Sequence, residues 1–168
     1  MHNKVYLFPR IPYSHILTNT TKEETSELGT TPAALSTREY DFTGKRVLLV
    51  EDHALNIEVA KRLLTSRNLS VDVAENGVLA LDIIENSAPG YYDAILMDIR
   101  MPVMDGITAT KEIRGLPTEW TKTIPIIAMT ANAFEEDMQK TKEVGMNAHL
   151  SKPIDPKLLF STLGDFIL

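Results

Sequence analysis

The run Ala94-Ile95-Leu96-Met97 constrains this chain more than any other stretch, because it is short, wholly apolar and ends on a carboxylate, Asp98. It is too short and too uniformly apolar for an exposed helix, so it reads as a strand buried on both faces. Asp98 then stands at a strand's C-terminal end, the edge at which open α/β sheets bind ligands. Pro102 and Asp105-Gly106 break the strand at once and start a connection, which turns Asp98 toward a crevice.

The flanking chain alternates strand-like and helix-like segments. Arg46–Val50 reads as a strand, and Ala54 to Arg67 as a helix with Leu55, Val59, Leu63 and Leu64 at helical spacing. Ser70–Val73 is a short strand, and Asn76 caps a helix carrying Val78, Leu81, Ile83 and Ile84 that stops near Pro89-Gly90. After the central strand come a helix from Gly106 to Arg114 and a strand from Ile124 to Met129, with Pro125 tolerable near its start. Phe134 to Val144 is an amphipathic helix ended by Gly145, and Ala148–Leu150 a short strand. Asp155-Pro156 then caps and opens a last helix through Leu158, Leu159, Leu163 and Phe166. Five strands alternating with five helices predict an α/β fold: a five-stranded parallel sheet in the order 2-1-3-4-5, a flavodoxin-like three-layer sandwich.

Residues 44–168 are expected to form that single domain, and residues 1–43 an N-terminal tail or linker. Thr18 to Thr37 is rich in Ser and Thr, as linkers are. The β-like patch Lys4-Val5-Tyr6-Leu7-Phe8 reads equally as a strand left from an upstream domain, a strand added to the sheet edge, or a disordered segment. No run approaches the roughly 18 apolar residues of a membrane span, and no secretory leader is legible, so a soluble cytoplasmic chain without membrane contact is expected. With no cysteine, thiolate metal sites and cysteine nucleophiles are excluded. A formal charge of −6 without clustered Lys or Arg argues against direct nucleic-acid binding and favours a cation or a basic protein surface.

Four strands end on polar groups: Glu51-Asp52, Asp98, Thr130 and Lys152. In a parallel sheet these ends share one edge, so residues distant in sequence converge. Carboxylates gathered in one cleft repel each other unless a cation neutralises them. Magnesium fits, because it takes oxygen ligands and commonly combines one or two carboxylates with phosphate oxygens. Lys152 supplies a compact positive charge and Thr130 a hydroxyl donor, both suited to phosphoryl oxygens. An aspartate carboxylate can itself attack phosphorus to form an acyl phosphate.

Glu51-Asp52, the block from Met97 to Gly106, Met129-Thr130-Ala131 and Lys152-Pro153 together resemble the receiver domain of two-component response regulators. Leu49 to Asn56 and Ile127 to Phe134 are most similar to receivers attached to hybrid histidine kinases. The resemblance implies a phosphorelay function in which Asp98 accepts a phosphoryl group from a histidine kinase or a histidine phosphotransfer protein. It also implies a Mg2+ ion held by Asp52, Asp98 and the backbone carbonyl of Arg100, with Glu51 acting mainly through water. Thr130 and Lys152 would contact the phosphoryl group, and Thr130 and His149 would carry the switch. Pro153 would follow a cis peptide bond. Output partners would read the face of the domain's fourth helix, fifth strand and fifth helix. The domain would be a monomer or weak dimer and no enzyme beyond slow self-dephosphorylation, either free-standing or cut from a hybrid kinase, the linker favouring the second. The alternative is a Mg-dependent phosphohydrolase with an aspartyl-phosphate intermediate. Such enzymes commonly need an acid/base aspartate two residues beyond the nucleophile, where this chain has Arg100.

Overall fold

The computed structural model describes residues 6–7, 40–131 and 135–168. In chain order the elements are β1 (Tyr6–Leu7), β2 (Arg46–Val50), α1 (Ala54–Thr65), β3 (Ser70–Ala74), α2 (Gly77–Glu85) and β4 (Ala94–Asp98). They continue with α3 (Gly106–Gly115), α4 (Glu119–Thr123), β5 (Ile126–Thr130), α5 (Glu135–Glu143), β6 (Ala148–Ser151) and α6 (Pro156–Ile167).

The sheet runs β1-β6-β5-β4-β2-β3. Strands β2 to β6 are parallel and, counted among themselves, follow the expected order 2-1-3-4-5. Period-2 alternation sorts their side chains into two cores. Val47, Leu49, Ala94, Leu96, Ile127 and Met129 face one side, where Leu64 of α1 and Leu159, Phe160 and Leu163 of α6 cover them. Leu48, Val50, Ile95, Met97, Ile126 and Ala128 face the other, under Ala80 and Ile84 of α2 and Ala109 and Ile113 of α3. Every residue of β4 is buried, which is why its sequence is continuously apolar.

Several caps act as the sequence suggests. The Asn76 side chain accepts from Leu79 N–H, and Asp155 from the N–H groups of Lys157 and Leu158, with Pro156 opening α6. Gly145 ends α5 at φ +88°, a conformation open to glycine.

Other expectations need correction. A sixth helix, α4, joins the five expected, capped by the Thr118 hydroxyl; a single turn shows no apolar periodicity to detect. On α1, Leu55 is 65% and Val59 51% exposed, and the sheet-facing residues are Ala60 and Leu64, so the apolar spacing mixed two stripes. Val78 of α2 is likewise exposed, and α2 stops at Glu85. Phe134, the expected start of α5, lies outside the described residues, as does the Ser/Thr-rich stretch. Of the Lys4–Phe8 patch, Tyr6 and Leu7 are described, and they pair antiparallel with β6 at the sheet edge. Phe42 is fully buried and packs near Phe160 with Tyr40 behind it, so the core reaches back beyond β2.

Candidate functional site at the C-terminal sheet edge

The parallel register sets the site. Val50 lies opposite Met97, Asp98 opposite Met129 and Thr130 opposite Ser151, so β2, β4, β5 and β6 end nearly level. Glu51 and Asp52 follow β2, Asp98 closes β4, Thr130 closes β5, and Lys152 follows β6. Ligand oxygens of Glu51, Asp52 and Asp98 lie within 4.8 Å of one another. Glu51 and Asp98 are buried, at 2% and 5% exposure, whereas Asp52 is open to solvent.

Lys152 neutralises the buried pair. Its Nζ donates to Asp98 Oδ2 at 2.7 Å and to Glu51 Oε2. Glu51 Oε1 accepts from Asn56 Nδ2 at 3.0 Å and from the His53 N–H at 3.3 Å, which fixes that carboxylate at the start of α1. Asp98 Oδ1 accepts from the Arg100 N–H at 3.1 Å. Burial pushes the Asp98 carboxyl above its ordinary range, against the pull of the Lys152 hydrogen bond and charge. Burial would lower Lys152, but its bonds to Asp98 and Glu51 outweigh that effect and leave the ammonium raised. The site thus couples a reluctant carboxylate to a firmly charged amine.

The loop after β4 is shaped by close packing. Gly106 N–H donates to Ile99 O at 2.9 Å, and a Cβ on Gly106 would collide with the Asp98 carbonyl oxygen. Asp105 caps α3 through Thr108 N–H at 2.8 Å. Val103 adopts φ +70° and is 83% exposed, standing out beside the site. An open groove of about 590 Å³ lies along this loop, lined by Ile99, Arg100, Met101, Asp105, Ile107 and Thr108.

Thr130 and His149 are both fully buried. Ala128 lies opposite His149 and Thr130 opposite Ser151, so by alternation Thr130 and His149 share the sheet face that carries α2 and α3. The Lys152 N–H donates to Thr130 O at 2.7 Å, and the Lys152-Pro153 bond is cis. The structure therefore gathers Glu51, Asp52, Asp98 and Lys152 in one cleft, ties Thr130 to Lys152 through the backbone, and sets His149 within β6 three residues before Lys152. Sequence reasoning assigned no role to Asn56, which holds Glu51, nor to the contact of Gly106 with Asp98. Asn56 could have been found from its place on the first turn of the helix that follows Glu51-Asp52.

A parallel sheet of this order, with acidic groups and a lysine on its C-terminal edge, is chemically suited to a domain that handles phosphoryl groups. The family model described as the response regulator receiver domain matches residues 47–163, and the chain belongs to that family. It is a receiver domain of two-component phosphorelay signalling, a signalling domain similar to those of hybrid histidine kinases.

Two relatives from Dictyostelium discoideum illustrate the likeness. Hybrid signal transduction histidine kinase I is 37% identical over 140 residues, 82% of this chain and 8% of that protein. Hybrid signal transduction histidine kinase M is 45% identical over 118 residues, 70% of this chain and 5% of that protein. The chain thus spans a small fraction of these relatives.

Among solved structures, the receiver domain of a sensor histidine kinase from Pseudomonas aeruginosa, with a magnesium ion coordinated in its active-site cleft, aligns at TM-score 0.67. It is 40% identical, over 74% of this chain and 98% of that one. A Saccharomyces cerevisiae co-crystal of a histidine phosphotransfer signalling protein with the receiver domain of its downstream response regulator aligns at TM-score 0.65. The identity is 28%, over 73% of this chain and 88% of that one. Among the described residues no helix is long and apolar enough to cross a membrane.

Proposed function

We propose that Asp98 is the phosphoacceptor of this receiver. The observation that carries the reading is the Lys152 ammonium 2.7 Å from the Asp98 carboxylate, in a cleft shared with Glu51 and Asp52. An Asp98 oxygen attacks the phosphorus of a donor phosphohistidine, the phosphorus–nitrogen bond breaks, and the imidazole leaves with the electron pair. Asp52, Asp98 and the Arg100 carbonyl would hold Mg2+, with Glu51 acting through water; the ion supplies positive charge for the equatorial oxygens. Lys152 shifts from the carboxylates to the phosphoryl oxygens, and the Thr130 hydroxyl joins it.

The donor is a histidine kinase or a histidine phosphotransfer protein. Leu55 and Val59, exposed one turn apart on α1 next to Asp52, offer apolar ground for its approach. Thr130 and His149 carry the change to the surface of α5, β6 and α6, which is the fourth-helix, fifth-strand, fifth-helix face once α4 and β1 are set aside. The domain works in the cytoplasm, and hydrolysis of its acyl phosphate is slow.

Acetyl phosphate treatment with and without magnesium, followed by intact mass, tests the assignment. The parent gains one phosphoryl group only with magnesium, and Asp98→Ala gains none. Labelling of Asp98→Ala to the parent's level refutes it, and rapid multiple turnover would mark a phosphohydrolase.

A further inference from the structure

The sequence motif that the phosphotransfer reading leaves unused is the β-like patch at the N-terminus. Its two described residues, Tyr6, a strand former, and Leu7, pair antiparallel with β6 in the register Tyr6 to His149 and Leu7 to Ala148. Without β1, the outer edge of β6 would present unpaired backbone groups. On its inner edge the same strand pairs with β5, from Ile127 opposite Ala148 to Thr130 opposite Ser151. β6 is therefore held on both sides at the residue proposed as switch, and it runs directly into Lys152.

We propose that β1 is a displaceable strap: by pinning β6 at Ala148 and His149 it opposes loading of the Asp98 site, and loading of that site loosens β1. The inference rests on the reading of Asp98 as phosphoacceptor. Lys152 now pairs with Asp98 and Glu51, and to meet a phosphoryl group its ammonium must re-aim from the end of β6. A strand clamped along both edges resists that adjustment more than one clamped along a single edge.

The strap is also the joint most easily undone. It has two register pairs, against four between β5 and β6, and Leu7 lies 35 positions before the buried Phe42. A two-pair ladder opens before the longer ladders of the sheet do. Linkage makes the effect reciprocal: whatever β1 does to the site, occupancy of the site must do to β1.

The test uses the full chain, with Tyr6→Pro/Leu7→Pro to remove both backbone donors and Tyr6→Val/Leu7→Val to keep strand preference. Beryllium fluoride with magnesium serves as the phosphoryl mimic, titrated against amide NMR signals at Asp98 and Thr130. Amide exchange and sedimentation velocity are measured alongside. In the proline variant, exchange at Ala148 or His149 accelerates at least tenfold and half-saturating beryllium fluoride falls at least threefold, while the valine variant tracks the parent. In the parent, beryllium fluoride speeds exchange at Tyr6 and Leu7.

Equal half-saturation in parent and proline variant, or unchanged β6 exchange, overturns the strap. A proline variant that self-associates with β6 still protected overturns it too, since a second copy then takes the edge. No response to beryllium fluoride in any chain overturns the phosphoacceptor reading and this inference together, whereas a normal response with equal midpoints overturns this inference alone.

Discussion

Asp98 is where two opposing effects meet, and Lys152 decides between them. Burial favours the protonated carboxyl, and the ammonium pulls it back toward the charged form. Lys152→Met removes the counter-charge and leaves Glu51 and Asp98 buried together. Breaking such a pair destabilises the fold by about 3 kcal/mol at neutral pH, read from urea unfolding. The sign of its pH dependence follows from the shift. Asp98 holds its proton in the folded chain to a higher pH than in the unfolded one, so its unfavourable contribution grows as pH rises from 3.8 through the raised folded value. The variant raises that value further, so its deficit relative to the parent is larger at pH 7 than at pH 4. Lys152 itself, raised in the fold, contributes stability below its ordinary value of 10.5 that disappears as pH climbs through the folded one. An equal deficit at both pH values would show that the pair carries no electrostatic load.

At the scale of elements, two joints hold the site's frame. The first is the contact of α3 with the end of β4. Gly106→Ala places a methyl group against the Asp98 carbonyl backbone, which can yield only by moving the loop. Overpacking of this kind costs about 3 kcal/mol, measured by unfolding, and is accompanied by weakened magnesium binding. The second joint is Arg114. From the end of α3 it donates to Gly145 O through Nε at 3.1 Å and Nη2 at 2.9 Å, to Asn147 Oδ1 at 3.0 Å and to Thr121 O at 2.6 Å. Burial lowers its pKa to about 10, which still leaves the guanidinium charged at neutral pH. One side chain thus ties α3 to α4 and to the turn between α5 and β6. Arg114→Met keeps the aliphatic stem but strands the Thr121 and Gly145 carbonyls, while Asn147 Oδ1 keeps the Ile126 N–H; about 2 kcal/mol of stability is lost, with faster amide exchange at Met146 and Asn147. Exchange confined to its parental rate there would show the staple to be dispensable.

Over the whole molecule, site and fold are linked through ligand binding. Magnesium at a hundred times its dissociation constant is expected to raise the unfolding free energy by about 2.7 kcal/mol. Asp52→Ala abolishes most of that gain, because the exposed carboxylate is the one not engaged by Lys152. The gain also fades as pH falls, since a proton on Asp98 competes with the ion, and because burial raises Asp98 the competition sets in at a higher pH than it would for an ordinary aspartate. Thermal melts across pH with and without magnesium check both statements.

The sequence by itself determined the order of the five parallel strands and of the helices other than α4, the two-sided burial of β4, and the chemical types on one sheet edge. These follow from patterns a few residues long: uninterrupted apolar runs buried on both faces, caps such as Asn76 and Asp155, and polar residues closing four apolar strands. What only the tertiary structure decided depends on separations of tens of residues. Which stripe of α1 turns to the sheet was set by the shape of the core above β2, so Leu55 and Val59 remain outside although their spacing equals that of buried residues. That Asn56 steadies Glu51, that Gly106 must lack a side chain, and that Tyr6 and Leu7 close the edge of β6 are facts of close approach. Such contacts are energetic outcomes of one packed arrangement, and no local run of residues encodes them.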